Sequence, residues 1–131
     1  MCSLYQARNY HWNVVDPHFS DYHKAFEEQY EGLSDDIDEI AERIRALGFK
    51  VSSSLSEFQK NSQIKEHPGA YPNANTMVSN LLNDHESVIQ TIREKIPVGD
   101  KYNDIGTEDF LTALLEKHEK TAWMLRSILE E

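Results

Sequence analysis

Residues 17–47, PHFSDYHKAFEEQYEGLSDDIDEIAERIRAL, carry the longest helical pattern in this 131-residue chain. Apolar residues recur there at intervals of three and four, the spacing of one face of an α-helix. Pro17 after Asp16 predicts where the helix begins, and Gly48 predicts its end in a left-handed conformation. The apolar stripe consists of Phe19, Tyr22, Phe26, Tyr30, Leu33, Ile37, Ile40, Ile44 and Leu47.

Three other long helices are expected from the same spacing, over residues 1–15, 75–96 and 107–130. Pro97 and Gly99 are expected to end the second of these, and Thr107 to cap the start of the third. The apolar face of the first is predicted to hold Leu4, Tyr5, Arg8, His11, Trp12 and Val15.

The connection over residues 49–73 is too long for a simple turn, and its pattern predicts a short helix near 54–61. Long connections inside a helical bundle usually cross it or have a function. Two helices, a long crossover and two further helices predict an all-α protein. We therefore expect a ferritin-like four-helix bundle with a short helix in its crossover, forming one domain over residues 1–131.

The charge balance limits the partners that this chain can bind. Thirteen basic and 23 acidic residues give a net charge of −10, which repels phosphate backbones and attracts cations. No apolar run approaches the roughly 20 residues of a membrane span, and no signal peptide is recognisable. The single cysteine, Cys2, cannot form a disulfide within one chain. A soluble, cytoplasmic protein is therefore the expectation.

Five side chains of the first two predicted helices have the chemistry of a metal site: His11, His23, Glu27, Asp38 and Glu42. His23 and Glu27 are one helical turn apart, and Asp38 and Glu42 repeat this spacing. Imidazole and carboxylate ligands suit iron and similar divalent metals. The alternative is a solvated helix surface, where Lys or Arg would be expected four residues from each carboxylate. The stripe of residues 23, 27, 31, 38 and 42 contains neither.

Geometry separates these ligands into two groups. His23 and Asp38 lie fifteen residues apart, or about 22 Å along one helix. Two copies of the helix, antiparallel about a two-fold axis, would bring the histidine of one subunit to the carboxylates of the other. The midpoint falls next to Gly32, where a glycine permits close approach. The sequence therefore predicts two equivalent sites between two subunits.

A conventional ferritin site inside one bundle is not encoded, because it needs Glu three residues before His on two helices. The residues three before the histidines are Arg8, Val15, Ser20, Ile64, Leu82 and Leu115. His85 and His118 lie on apolar stripes and are expected to be core histidines hydrogen-bonded to a neighbour. Trp12 is expected either to line the metal site or to belong to the core.

Four stretches, taken together, carry a resemblance to a known family: NYHWNV (9–14), PHF (17–19), DEIAERI (38–44) and HEKTAWMLR (118–126). With His23 between them, they resemble the Dps family (DNA-binding proteins from starved cells, or mini-ferritins) over nearly the whole chain. The resemblance implies a hollow dodecamer built from two-fold dimers. By position, His11 and His23 match its histidine ligands, and Asp38 and Glu42 match the carboxylates of the neighbouring subunit. Glu27 falls where many members carry Asp.

The resemblance also implies a reaction, the oxidation of Fe(II) at a site of two metals, preferably with hydrogen peroxide. The choice between peroxide and oxygen stays open. Ferric mineral would fill the cavity, and DNA would be protected indirectly. Glu28 and Glu31 are candidates for mineral nucleation; Asp109, Glu116 and Glu119 are candidates for an acidic three-fold entry pore.

Two rival hypotheses remain beside the ferroxidase. One is a helical-bundle assembly that binds divalent metal without oxidising it, and the other is a DNA-compacting protein. DNA-binding members carry a Lys/Arg-rich tail, whereas residues 1–15 contain only Arg8 and the chain ends in Glu130-Glu131. Direct DNA binding is therefore not expected. The first helix is shorter than the resemblance implies, which bears on the completeness of the dodecamer.

Overall fold

The computed structural model describes residues 1–130, which contain five helices and no strand. In chain order these are α1 (Cys2–Asn13), α2 (Phe19–Ala46), α3 (Leu55–Asn61), α4 (Ala74–Lys101) and α5 (Ile105–Leu129). Four long helices and a short one in the crossover confirm the predicted helix order. None of the helices described is long and apolar enough to cross a membrane.

The chain divides into two compact units within α4, after Met77. The first unit contains α1, α2 and α3, together with the first turn of α4. The second contains the rest of α4 and α5. That residues 1–131 form one domain stays a prediction.

The buried face of α1 differs from the predicted one. Tyr5, Trp12 and Val15 were expected to be apolar contacts, but they are 47%, 70% and 87% exposed. The buried side chains are Cys2, Ser3, Leu4, Ala7, Tyr10 and His11. This face packs against α2, where the centroid of the Tyr10 ring lies 5.9 Å from that of Phe26. The buried face of α1 is therefore the one that packs against α2, and not the one that carries the largest apolar side chains.

The start of α2 is two residues later than predicted. Asp16 accepts a hydrogen bond from the backbone N–H of His18 at 2.8 Å, which places Pro17 in a turn before the helix. The end is as predicted: Gly48 has φ +91°. Its N–H donates to Arg45 O, and that of Phe49 donates to Ile44 O, a Schellman motif.

The short helix α3 begins with a capping box. The Ser54 hydroxyl accepts from the backbone N–H of Glu57 at 3.3 Å, and the Glu57 carboxylate accepts from the N–H of Ser54 at 3.1 Å. This reciprocal pair satisfies two N–H groups that a helix start would otherwise leave unpaired. A helix of seven residues at this position confirms the prediction for residues 54–61.

Both predicted boundaries between α4 and α5 are wrong. Pro97 lies inside α4, which continues to Lys101 despite the hydrogen bond that proline removes. The helix ends at Lys101, and the turn after it contains Asn103 with φ +52°. Asp104, not Thr107, caps α5: its carboxylate accepts from the Thr107 N–H at 3.1 Å and from the Thr107 hydroxyl at 2.6 Å.

Within the second unit, His85 of α4 and His118 of α5 are each 5% exposed. Their Nδ1 atoms are 2.8 Å apart, so one ring donates to the other. This confirms the prediction of hydrogen-bonded core histidines. Apolar side chains are buried on the same two helices: Leu81, Ile89, Ile92, Leu114, Ala122 and Leu125.

Candidate metal site on α1 and α2

The structure brings together the two histidines that the sequence singled out. His11 near the end of α1 and His23 near the start of α2 stack with centroids 3.7 Å apart and planes 19° from parallel. His11 is buried, at 8% exposure, and His23 is partly buried. The turn at residues 14–18 reverses the chain between them and so places both imidazoles at the same end of the helix pair.

Reciprocal hydrogen bonds fix the orientation of both rings. His11 Nδ1 donates to the carbonyl oxygen of His23 at 2.7 Å, and His23 Nδ1 donates to that of His11, also at 2.7 Å. Because a carbonyl can only accept, each Nδ1 must carry a proton, and in the neutral form of each ring that is its only N–H. Each Nε2 is then left with its lone pair, which is the form of histidine that binds metals.

The His11 carbonyl is available for this contact because of its place in α1. The last four carbonyls of a helix have no intrahelical partner. The Tyr10 carbonyl accepts from the N–H of Val14, and the His11 carbonyl accepts from the ring of His23. Termination of α1 after Asn13 therefore supplies the acceptor that orients His23.

Aromatic rings surround the pair. Phe19 stacks on His23 at 5.0 Å, and the Tyr30 and His11 rings are T-shaped to each other at 5.3 Å between centroids. The Tyr30 hydroxyl donates to a carboxylate oxygen of Glu27 at 3.5 Å, a long hydrogen bond. Tyr30 was predicted only as part of the apolar stripe. Its position three residues after Glu27 was the signal that could have indicated a role at the site.

The local electrostatics act on the same tyrosine. Burial and the negative charges of Glu27 and Glu31 raise the pKa of Tyr30, against the opposing effect of Arg8. The Arg8 guanidinium lies over the Tyr30 ring, 4.9 Å from its centroid. Tyr30 therefore stays a phenol that donates to Glu27.

The other two predicted ligands do not meet the histidines in one chain. Asp38 and Glu42 are exposed, in the second half of α2. Among residues 1–130, no group of three or more His, Cys, Asp or Glu side chains is arranged to hold a metal ion. A single chain thus offers two oriented imidazoles but no complete ligand set.

The surface of α2 between these groups is open. Gly32 is exposed, and a Cβ placed on it would have no neighbour within 4 Å. Glu28 and Glu31 are also exposed on this helix. Beyond Asp38, an apolar groove lies between α2 and the segment after it, with Glu42 on its wall. Its apolar lining includes Ile37, Ile40, Ala41, Ile44, Val51 and Phe58.

The remaining predicted residues differ in their exposure and contacts. Trp12 is 70% exposed, so the expectation that it is a core residue is wrong, whereas a role beside the metal stays a prediction. Asp109 and Glu116 are exposed on α5. Glu119 forms an ion pair with Arg93 of α4, which offsets its charge.

Known proteins are similar to this chain over most of its length. A family model described as a ferritin-like domain matches residues 1–131. A low temperature-induced protein of a Nostoc species is 47% identical over 128 residues, which cover 97% of this chain and 72% of that protein. DNA protection during starvation protein 2 of Bacillus anthracis is 36% identical over 127 residues, covering 96% of this chain and 86% of that protein.

A solved structure has nearly the same fold. It is a Dps protein from Vibrio cholerae O1, described as a member of a broad superfamily of ferritin-like diiron-carboxylate proteins. It superposes with a TM-score of 0.93 at 30% identity, covering 98% of this chain and 80% of that one. The fold is therefore all-α and ferritin-like. The chain belongs to the Dps family, which confirms the resemblance noted in the sequence.

Proposed function

We propose that this protein is a ferroxidase and iron-storage protein that oxidises Fe(II) at sites formed between two copies of the chain. Membership of a ferritin-like, diiron-carboxylate superfamily supports iron handling in general terms. The observation that carries the proposal for this chain is the His11–His23 pair. Reciprocal hydrogen bonds to carbonyls leave both Nε2 atoms as ligands, an arrangement typical of metal-binding histidines.

A second copy completes the site in this proposal. Two imidazoles alone bind iron weakly, and carboxylates are the ligands that favour Fe(III). Asp38 and Glu42 supply them from the partner, across a two-fold axis near Gly32. Three features of α2 support this: the exposed carboxylates, the unobstructed glycine and the apolar groove at residues 37–58. Glu27 adds a carboxylate from the same chain as the histidines.

The chemistry needs little from the protein beyond binding and orientation. Two Fe(II) ions each give one electron to hydrogen peroxide, the O–O bond breaks, and two protons complete two water molecules. His11 and His23 hold Fe(II) through neutral nitrogen. Glu27, Asp38 and Glu42 neutralise the charge that rises as Fe(III) forms. Removing Fe(II) and peroxide together prevents hydroxyl-radical chemistry.

Storage follows from the proposed assembly, a dodecamer of two-fold dimers in the cytoplasm. Glu28 and Glu31 would nucleate ferric mineral on its inner surface. Asp109 and Glu116 would line acidic entry pores. Glu119 is the weakest pore candidate, because Arg93 already pairs with it. Protection of DNA would be indirect, since the net charge of −10 opposes binding to phosphates.

Peroxide-driven iron oxidation tests this function. Protein loaded anaerobically with Fe(II) is mixed with stoichiometric peroxide, and ferric absorbance is followed in the wild type and in His23→Ala/Asp38→Ala. We expect fast oxidation and soluble mineral in the wild type, and loss of about 100-fold in rate in the variant, since both halves of the site are removed. His67→Ala/Asp100→Ala is the matched control, because both residues are exposed and neither lies on α1 or α2.

Equal, buffer-like oxidation in all three proteins would contradict the ferroxidase. Tight Fe(II) binding without oxidation would favour the non-enzymatic metal-binding assembly. A DNA complex retained at physiological salt would favour the DNA-compacting protein.

A further inference from the structure

One side chain outside the predicted ligand set contacts ligands of both helices. Tyr30 forms a T-shaped ring contact with His11 of α1, at 5.3 Å between centroids, and its hydroxyl donates to Glu27 of α2 at 3.5 Å. Edge-on contact between aromatic rings is a preferred geometry, because the positive ring edge meets the negative face of its neighbour. A single phenol thus links a nitrogen ligand and an oxygen ligand that are sixteen residues apart in sequence.

The Tyr30 ring is itself held in place. The Arg8 guanidinium lies 4.9 Å from its centroid, a cation–π arrangement that joins α1 to α2 a second time. The Nε of Arg8 is buried and, among the described residues, has no hydrogen-bond partner.

Glu27 is the ligand that most needs such a restraint. A glutamate has one more rotatable bond than an aspartate, so fixing its carboxylate costs more conformational entropy. Glu27 is only partly buried, and packing alone does not fix it. The Tyr30 hydroxyl, one helical turn away, is the hydrogen-bond donor that restricts where this carboxylate can lie.

We propose that Tyr30 is a positioning residue of the metal site, holding the Glu27 carboxylate and the His11 ring so that both face the same metal ion. The inference rests on the proposed function, because it assumes that Glu27 and His11 bind metal. Tyr30 does not bind the metal in this account. Its effect passes through Glu27, which makes the effect depend on the length of that side chain.

Co²⁺ binding by the assembled full-length protein tests this proposal without iron oxidation. The visible spectrum of bound Co²⁺ reports both affinity and ligand geometry. Four proteins are compared: wild type, Tyr30→Phe, Glu27→Asp and the double variant. Phenylalanine keeps the ring against His11 and Arg8 and removes only the hydroxyl. We expect Tyr30→Phe to weaken Co²⁺ binding about tenfold, as loss of a hydrogen bond to a metal ligand typically does, and to change the spectrum.

Aspartate at position 27 is one methylene too short to reach the hydroxyl. In the Glu27→Asp background, Tyr30→Phe is therefore expected to change Co²⁺ affinity less than about twofold, which a double-mutant cycle measures. Tyr22→Phe is the matched control. It removes a similar hydroxyl contact from α2, to Asn75 at 3.4 Å, which does not involve either ligand.

Each outcome supports or overturns the proposal. An equal loss from Tyr30→Phe in both backgrounds, or from Tyr22→Phe, would show a general packing effect and overturn it. Unchanged Co²⁺ affinity in Tyr30→Phe would overturn it while leaving the proposed function intact, provided that His11→Ala and His23→Ala weaken binding. If those two alanine variants bind Co²⁺ as the wild type does, the metal site itself is wrong, and both proposals fail.

Discussion

At the scale of single residues, the site histidines owe their orientation to backbone carbonyls. The ring of His11 is fixed by the carbonyl of His23, and the ring of His23 by the carbonyl of His11 in the last turn of α1. Sequence spacing placed both residues in one site, but could not show that each ring binds the backbone of the other. Tyr30 was missed for the same reason: a tyrosine at helical spacing is typical of a core, and only its contacts with His11 and Glu27 indicate otherwise.

The other histidine pair gives the protein an acid-sensitive core. Burial, and then the charge of His118, lower the pKa of His85 from 6.5 to about 3. Below pH 6.5 the unfolded chain binds a proton that the folded one does not, so stability conferred by neutral His85 is complete above 6.5. It is lost progressively as the pH falls toward 3.

Replacing His85 should therefore flatten the pH dependence of stability. We expect the free energy of unfolding of the wild type to fall as the pH is lowered from 6.5 to 5. His85 should contribute at most about 1.4 kcal/mol per pH unit to that fall. His85→Gln should lack that contribution, whereas His67→Gln, at an exposed position, should keep it. Denaturant unfolding at fixed protein concentration measures the slopes. Identical slopes in all three proteins would show that His85 titrates alike in the folded and unfolded chain.

At the scale of helices, boundaries were harder to predict than helices themselves. Periodic apolar residues located all four long helices, because that spacing is set by packing over many residues. The start of α5 depends on one hydrogen bond, and Asp104 and Thr107 are both good caps by residue type. Only the structure shows the Thr107 N–H donating to Asp104. The predicted end of α4 at Pro97 was wrong for a related reason. The loss of one hydrogen bond does not end this helix of 28 residues.

The cap assignment can be tested directly. Asp104→Ala should lower the free energy of unfolding by about 1 kcal/mol, because it leaves the Thr107 N–H at the start of α5 without its acceptor. Asp100→Ala, an exposed aspartate in the last turn of α4, should cost less than about 0.5 kcal/mol. Chemical denaturation of both variants measures the difference. A larger loss of stability in Asp100→Ala than in Asp104→Ala would contradict the assignment of Asp104 as the cap of α5.

At the scale of the whole molecule, the sequence indicated that one chain cannot bring all the predicted metal ligands together. The ligands fall into two groups about 22 Å apart on one helix, and residues 1–130 contain no complete ligand set. The comparisons show a ferritin-like fold, and the two-fold arrangement of α2 helices is our proposal. A single sequence cannot give the distance between Asp38 and a partner's His23, since that depends on packing between copies.

Subunit complementation tests the shared site most directly. His23→Ala and Asp38→Ala chains are co-expressed, purified as mixed assemblies and assayed for peroxide-driven iron oxidation. If each site takes its histidines from one chain and its carboxylates from the other, half of the random dimers are mixed. Each mixed dimer then regains one intact site of two, so about a quarter of wild-type activity should return. His11→Ala with His23→Ala is the control, because both remove ligands from the same side, and no mixed dimer regains a site. We predict that the first mixture regains about a quarter of wild-type activity and that the control mixture regains none. No recovery in either mixture would contradict the shared site.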